Sequence, residues 1–596
     1  MKLSITCILI LIILAPAAIL ADDWRAPVDG TIQSSSLFGD YRPGHFHAGI
    51  DIRTGGATGI KLYACSDGYI ERVKTSFDGY GRAVYLRSNS GFVFVYAHLS
   101  RLFPDLQQAV YQQQINNENY KQDIYFTPAE FRLMKGDIIG YSGQAGPGGP
   151  HLHFEIRTPD NIPTNPLLYN NIRLRDNVAP LLSSIAIAEF KEQFHPGDIV
   201  SKTTYDCEKI KRGTHYLVRE KVYTSGRFGI ELNAYDQIDG YYGKFGVYDL
   251  KLFFDNSLIY HYRADSLDFA SFTQSDYVRD YQLWFQGVRQ HNNPKRVDKD
   301  RHNFYRLFRV IGDAQPTIKS GLFNGLFSIY PDDSLYANMV STGEHEIRIE
   351  ARDIYDNHSV LNLTLNIGEI DSAEVKQPSA DNGEEQEPSF DGIVFLYGSI
   401  HVDITPEKLY YPEEFSASVL NQSRMQNDFY VLREFEIFPR FTFFRDKCTL
   451  STKIGDSLYS PEKYCIGWQN IDGEFVFAGN ELSDDSLTVS CKIKSTGRFA
   501  LVADYDPPEL TLMEPRNGTH LRASSEFAIR YRLTDNFAGL GNEEDLDLYL
   551  DGNWVPAEYD PDRDLVEFIP YRKLNKGKHT LLIQVRDMCN NQTNLE

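Results

Sequence analysis

Short stretches in which apolar and polar residues alternate run through the whole chain, the period-two pattern of strands with one face turned to a core. "AVYLRSNSGFVFVYAHL" (83–99) reads as a hairpin turning at Ser88-Asn89-Ser90-Gly91. In its second arm Phe92, Phe94 and Tyr96 share a face with His98, while Val93, Val95, Ala97 and Leu99 line the other. "HLHFEIR" (151–157) places His151, His153, Glu155 and Arg157 on one face and Leu152, Phe154 and Ile156 on the opposite one. This predicts a half-buried strand carrying two neighbouring imidazoles, roughly 7 Å apart at their Cα atoms. With 37 Tyr and 37 Phe against 4 Trp, the aromatic content also favours strands. The predicted fold class is mostly β.

The texture of the pattern changes along the chain. Residues 24–170 are dense in glycine and short strands and read as one small antiparallel domain. From Asp176 the strands lengthen and the loops turn acidic. "GEHEIRIEARDIYDN" (343–357) matches "GKHTLLIQVRDMCNN" (577–591) in Gly, His, the alternating apolar positions, Arg-Asp and the final Asn. "DNVAP" (176–180) pairs with "DYDPP" (504–508), and "IELNAYDQIDG" (230–240) with "IRYRLTDNFAG" (529–539). Two related immunoglobulin-like β-sandwiches are therefore expected at 176–368 and 505–596, the first with a long insertion around 266–336. A third β-rich unit, 393–504, lies between them. The polar, acidic "DSAEVKQPSADNGEEQEPSFDG" (371–392) reads as a linker. His345 and His579 recur at equivalent strand starts and are expected to be structural.

At 596 residues the chain is far too long for one core. A net charge of −22 argues against nucleic acid as a partner. The opening "MKLSITCILILIILAPAAILADDW" has a Lys2 n-region, a short apolar run and small residues. It reads as a secretory signal peptide (1–21), and no later segment is apolar enough to span a bilayer. The expected location is beyond the inner membrane, periplasmic or extracellular, in the cell envelope. Six of the seven cysteines follow the signal; Cys448, Cys465 and Cys491 cluster and are candidates for one disulfide. No CxxC pair offers a cysteine zinc site.

Five histidines fall in the first domain: His45, His47, His98, His151 and His153. In "GHFHAGIDIRTGG" (44–56), His47 and Asp51 are four apart, a spacing that returns both side chains to one side. An imidazole and a carboxylate on a glycine-flexed segment suit a first-row metal. The HxH of 151–153 suits one ligand and one neighbour leaning over the metal. Each motif alone is weak; the ordered set is strong.

"HAGID", "YAHLS" and "GYSGQAGPGGPHLHFEIR" resemble the three signatures of the lysostaphin/LytM-type zinc metallopeptidases, which cut peptidoglycan peptides. The likeness covers residues 25–170 and extends to "ACSDGYIERV" (64–73), "DGYGRAVYL" (78–86) and "KGDIIGYSGQAG" (135–146). It implies Zn²⁺ as cofactor, His47, Asp51 and His153 as its ligands, and His98 and His151 as catalytic histidines that are not ligands. His151 would act as general base and then acid, and His98 would stabilise the oxyanion or share the proton traffic. Glu155 is expected either to orient an imidazole or to form a surface salt bridge with Arg157, and His45 to be a spectator. Two departures stand out: Ala145 where relatives often carry threonine, and a long segment between Leu99 and Lys135. That segment shapes substrate choice, acts as a lid, or is a surface decoration.

The function these readings imply is a secreted zinc endopeptidase acting on peptidoglycan cross-links, with sandwich domains that bind protein or glycan. Two alternatives are a non-catalytic LytM-like scaffold that activates cell-wall amidases, and a surface adhesion protein. The scaffold relatives typically lose ligands, whereas all five positions are kept here.

Overall fold

Apolar residues from five strands of the first unit close over one core: Ile50 and Ile52, Ile70 and Val73, Val84 and Leu86, Phe94 and Tyr96, and Leu152, Phe154 and Ile156. The computed structural model describes residues 24–596 except 43–44, 146–147, 192–193, 195–198, 211–212, 270–277, 281–303, 310–323, 369–392, 396–398, 410–414, 422–423, 427–428, 439, 441, 456–458, 471–472, 521–526 and 572. The predicted signal peptide and the acidic linker lie outside the described residues. The protein is 51% strand and 6% helix, mostly β as the alternation predicts. No helix of the described residues is long and apolar enough to cross a membrane.

The first unit is built on an antiparallel sheet. In chain order its main strands are β1 (Ser34–Ser36), β2 (Ile50–Arg53), β3 (Gly68–Thr75), β4 (Ala83–Ser88), β5 (Val93–Ala97), then helix α1 (Pro104–Asn117), β6 (Gln122–Tyr125) and β7 (His151–Arg157). They lie in the order β1-β2-β7-β5-β4-β3-β6, so β7 is central although it comes last. One face packs on a three-stranded sheet (Lys61–Tyr63, Ile138–Ser142, Leu99–Leu102) and on α1. Burying each of Ile50, Phe94, Phe154 and Ile156, all 0% exposed, contributes about 1.5–3 kcal/mol.

β7 departs from the half-buried strand predicted for it. His153, Glu155 and Arg157 are buried as well as Leu152, Phe154 and Ile156, because Tyr80 and Tyr85 cover the polar face. Its backbone neighbours are close. A Cβ on Gly49 would stand 2.4 Å from the carbonyl oxygen of Phe154, so only glycine fits there.

The segment 100–134 is neither a free lid nor a decoration. Proline at the helix start and Leu106 and Val110, four apart and facing the core, fix α1 beneath the sheet. β6 and Arg132–Leu133 then pair with β3 and extend the sheet.

Residues 181–368 form two sheets over one core. Leu181–Phe190 and Arg227–Tyr235 centre one sheet, and Gly343–Arg352 and His358–Gly368 the other. Phe38 and Phe46 of the first unit enter this core. The insertion around 266–336 adds Phe304–Arg306 and Leu326–Ser328 to the first of these sheets, both beside Arg227–Tyr235. Residues 393–503 and 509–595 each form a further pair of sheets. Phe77 and Tyr120 of the first unit lie in the core of the last pair, beside Tyr531 and Phe568.

His345 and His579 play the same part in the two repeats. Their Nδ1 atoms donate to Asp255 Oδ2 (2.8 Å) and Asp551 Oδ2 (2.6 Å), and their Nε2 atoms contact the carbonyl oxygens of Ser341 (2.9 Å) and Asn575 (2.8 Å). The expected disulfide is absent among the described residues: Cys65, Cys207, Cys448, Cys465, Cys491 and Cys589 are free thiols. Cys448 and Cys491 sit on adjacent strands but face Ile493 and Leu450 rather than each other. Cys465 lies on a strand of the opposite sheet.

Candidate metal centre

The pairing of β2 with β7 sets Asp51 directly opposite His153, and the pairing of β7 with β5 sets His153 opposite Ala97. His47, just before β2, completes a buried group of three. His47 Nε2 lies 3.1 Å from Asp51 Oδ1 and 3.0 Å from His153 Nδ1, and His153 Nδ1 lies 3.0 Å from Asp51 Oδ1.

The partners on the far sides of the rings decide what these atoms are. A carbonyl or carboxylate oxygen accepts only, so a neutral ring that donates one nitrogen to such an oxygen outside the centre has its other nitrogen free to bind a metal. His47 Nδ1 donates to Leu37 O at 2.8 Å, which leaves Nε2 as a lone pair. His153 Nε2 meets Glu155 Oε1 at 2.9 Å, which leaves Nδ1 as a lone pair. Arg42 Nη2 holds Asp51 Oδ2 at 3.0 Å, turning Oδ1 inward. With both rings neutral, three electron-pair donors face one another at 3.0–3.1 Å, and a metal ion would replace the proton that His153 Nδ1 otherwise shares with Asp51. Donors about 2.0–2.2 Å from a tetrahedral ion stand roughly 3.3–3.6 Å apart, so the triangle takes zinc by opening a few tenths of an ångström. Burial works against charge at His153, yet hydrogen bonds to Asp51 and Glu155 raise it to about 9. Burial likewise opposes the Asp51 carboxylate, but the imidazoles of His47 and His153 hold it well below the usual range. The centre attracts positive charge.

Glu155 is fully buried, so both expectations for it hold in altered form. It orients His153 through Oε1 and pairs with Arg157 Nε through Oε2 at 2.7 Å, an internal rather than a surface bridge. Burial raises the Glu155 carboxyl, but Arg157 and His153 bring it down to about 2. Tyr80 donates its hydroxyl to Glu155 and stacks on His153, ring centroids 5.2 Å apart.

His98 and His151 stand beside the triangle. Alternation along β5 puts His98 with Tyr96, on the core face. Instead the strand ends at Ala97 and His98 takes a left-handed φ of 61°, which turns its ring toward His151, centroids 4.6 Å apart. Its Nδ1 donates to Ala145 O at 2.7 Å, leaving Nε2 unprotonated. Burial, with His153 and His151 nearby, lowers His98 to about 3. His151 Nδ1 donates to Gly149 O at 2.6 Å, and its Nε2 is 3.7 Å from Asp51 Oδ1. His45 lies in the ribbon with Tyr41–Arg42, outside the group of three.

All five site residues found in the sequence thus converge. Arg42, Tyr80, Leu37 O and Ala145 O complete the centre, and no spacing rule marked them; Tyr80 lay within the quoted "DGYGRAVYL".

Comparison with known proteins decides what this unit is. Residues 45–116 match the profile of Peptidase family M23. Here the chain carries an M23 peptidase domain. The chain is 33% identical over 122 residues to the DD-carboxypeptidase/endopeptidase Mpg of Neisseria meningitidis serogroup B, covering 20% of this chain and 22% of that protein. A second relative is the murein hydrolase activator NlpD of Salmonella typhimurium, 28% identical over 146 residues, 24% of this chain and 31% of that protein. The chain thus spans only about a fifth to a third of the length of these relatives. Among solved structures, the catalytic domain of a mutant of the prophage-encoded M23 protein EnpA from Enterococcus faecalis is 26% identical and covers 24% of this chain and 97% of that one, at a TM-score of 0.18.

Proposed function

We propose that the protein is a zinc metallo-endopeptidase of the cell envelope that hydrolyses peptide cross-links of peptidoglycan. The observation that carries this reading is the triangle of His47 Nε2, Asp51 Oδ1 and His153 Nδ1, three lone pairs at 3.0–3.1 Å held by outer hydrogen bonds. Three ligands leave a coordination position open, the condition for a catalytic rather than a structural zinc. When bound, zinc supplies a Lewis acid and brings the pKa of a water to near 7.

The chain's own groups do the rest. His151, its Nδ1–H fixed on Gly149 O, directs Nε2 toward the triangle and takes the proton of the attacking water, then returns it to the leaving amine. His98 is held neutral by burial with its Nδ1–H on Ala145 O, so its Nε2 only accepts: it takes a proton from a hydroxyl of the tetrahedral intermediate and passes it on, and in this tautomer it does not donate to the oxyanion. Tyr80, Glu155 and Arg157 are positioning residues acting through His153.

The likeness to NlpD keeps a second reading in view, an activator of other murein hydrolases. The complete donor set favours the enzyme. The test is incubation of the zinc-loaded mature protein with peptidoglycan sacculi, followed by mass spectrometry of released muropeptides. Conversion of cross-linked dimers to monomers, abolished by a chelator, establishes the endopeptidase. No products from the protein alone, with product formation restored by adding an amidase, establishes the activator.

A further inference from the structure

A second group of convergent side chains lies away from the histidines, where the first unit meets the sandwich that follows it. Asp176, Asp236 and Asp353 come from three separated stretches, yet each offers a carboxylate oxygen within 4.8 Å of the others. Asp236 and Asp353 are each 3% exposed. Asp236 Oδ1 is shut off from solvent and has no hydrogen-bond partner among the described residues. Such an oxygen costs about 1–3 kcal/mol or more when left unmet, and more when charged.

Beyond burial, the leading influences on Asp236 are other carboxylates. The carboxylates of Asp353, Asp176 and Asp40 bear on Asp236, and the neighbouring Arg175 pairs with Asp239 instead. Burial and the carboxylate of Asp353 push Asp176 up to about 7, against a backbone hydrogen bond from Val178. The group is nevertheless held in place: Asp176 Oδ1 accepts from Val178 N (2.9 Å), and Asp353 accepts from Tyr355 N, Asn357 N and Asn357 Nδ2 (2.8, 2.8 and 2.6 Å). A cavity lined by Asn165, Leu174, Asp176, Asp236, Gly246 and Tyr355 adjoins it, giving water a route to complete a coordination shell.

We propose that Asp176, Asp236 and Asp353 form a binding site for a hard divalent cation of the calcium class at the end of the sandwich that faces the first unit. The donor set is all oxygen, the preference of calcium rather than zinc. Oxygens around Ca²⁺ at about 2.3–2.6 Å stand up to roughly 5 Å apart across the ion, as these do.

The internal repeat carries the idea further. Aligning the matched stretches puts Asp504, Asp535 and Asp587 at the same three positions, where the last unit begins. Asn591 N and Nδ2 donate to Asp587 at 2.8 Å as Asn357 does to Asp353. Asn591 Nδ2 reaches Asp504 O (3.2 Å) as Asn357 Nδ2 reaches Asp176 O (3.4 Å). Asp535 Oδ2, like Asp236 Oδ1, is closed to solvent with no partner among the described residues. The three-aspartate pattern marks both places where a repeat unit starts.

The test uses the full mature chain, stripped of alkaline-earth ions and kept in equimolar zinc throughout. Its thermal unfolding midpoint is measured with added CaCl₂ or MgCl₂, for the wild type, Asp236→Asn and Asp51→Asn. Saturating calcium should raise the wild-type midpoint by about 5 °C or more. Without calcium, Asp236→Asn should be no less stable than the wild type, since a repelling charge is gone, and it should gain less from calcium. Asp51→Asn should keep the full calcium response. No calcium shift in the wild type overturns the proposal, as does an Asp236→Asn loss equal with and without calcium. Loss of the response in Asp51→Asn would place the ion at the histidine centre and also overturn it; a shift given by magnesium alone overturns the calcium assignment. Should Asp236→Asn fail to fold, Asp176→Asn takes its place, and calorimetric titration of the wild type with CaCl₂ reads the same site.

Discussion

His153 donates Nε2–H to the buried Glu155 at 2.9 Å while its Nδ1 faces Asp51 at 3.0 Å, so one residue two places along the strand decides which nitrogen of the imidazole is free for a metal. Glu155→Gln keeps the shape and an accepting oxygen but removes the charge that makes the imidazole a strong donor. Zinc affinity should fall about 10–100-fold, read by competition with a chromogenic chelator. An unchanged affinity would mean that Glu155 serves only Arg157.

The two histidines of the HxH should separate cleanly. His153→Ala removes a vertex of the triangle and should abolish both stoichiometric zinc and muropeptide release. His151→Ala should keep zinc, because its Nε2 is 3.7 Å from Asp51 Oδ1 and it is outside the group of three. Activity should nevertheless drop about 10²–10⁴-fold, the share of a general acid–base. Equal zinc loss in the two variants would refute this division of roles.

Much of this centre was legible because strand geometry repeats every two residues and places His153 and Glu155 on one face. Alternation failed at His98, where a left-handed residue reverses the face, and it failed to foresee that Tyr80 and Tyr85 bury the polar side of the strand. Arg42 and Leu37 O were invisible, and Ala145 was noted only for its side chain, because these groups act through loops whose approach is set by tertiary packing. The repeat was legible as matched words, but the insertion around 266–336 hid two strands of the sheet, since their pairing with Arg227–Tyr235 spans a long sequence separation. The segment 100–134 misled for a related reason: only Leu106 and Val110 of the helix are buried apolar residues, and its third buried position, Gln114, is polar.

Gly81 tests how the glycine turn supports His98. At φ 58° it passes so close to Ala145 that an added Cβ would stand 2.2 Å from Ala145 O, the atom that accepts from His98 Nδ1. Gly81→Ala is expected to push Ala145 aside and release His98 while leaving the three donors in place. Zinc content should stay stoichiometric and kcat should fall at least tenfold, with KM much less affected. Full activity would show that His98 holds its position without this carbonyl.

The last unit is bolted to the first through Glu543, 5% exposed, whose Oε1 accepts from Ser76 Oγ (2.7 Å) and Phe77 N (2.8 Å). Arg82 adds a bridge to Glu558 (2.7 Å), and Tyr111 of α1 stacks on Tyr571 with centroids 5.4 Å apart. The joint reaches the rim of the metal centre, where Gly148 N donates to Asp562 Oδ2 at 2.7 Å in the loop leading to His151. Glu543→Ala leaves the Phe77 amide buried without its acceptor, at a cost of about 1–3 kcal/mol. In urea the wild type should unfold these two units together, and the variant should show an earlier separate step, with new protease cuts near 76–82. Because the same joint steadies the glycine loop, muropeptide release by the variant should also fall, by a few fold, at unchanged zinc content. One coincident transition in both proteins would mean that the aromatic contacts of Phe77 and Tyr120 hold the units together and that Glu543 adds nothing measurable.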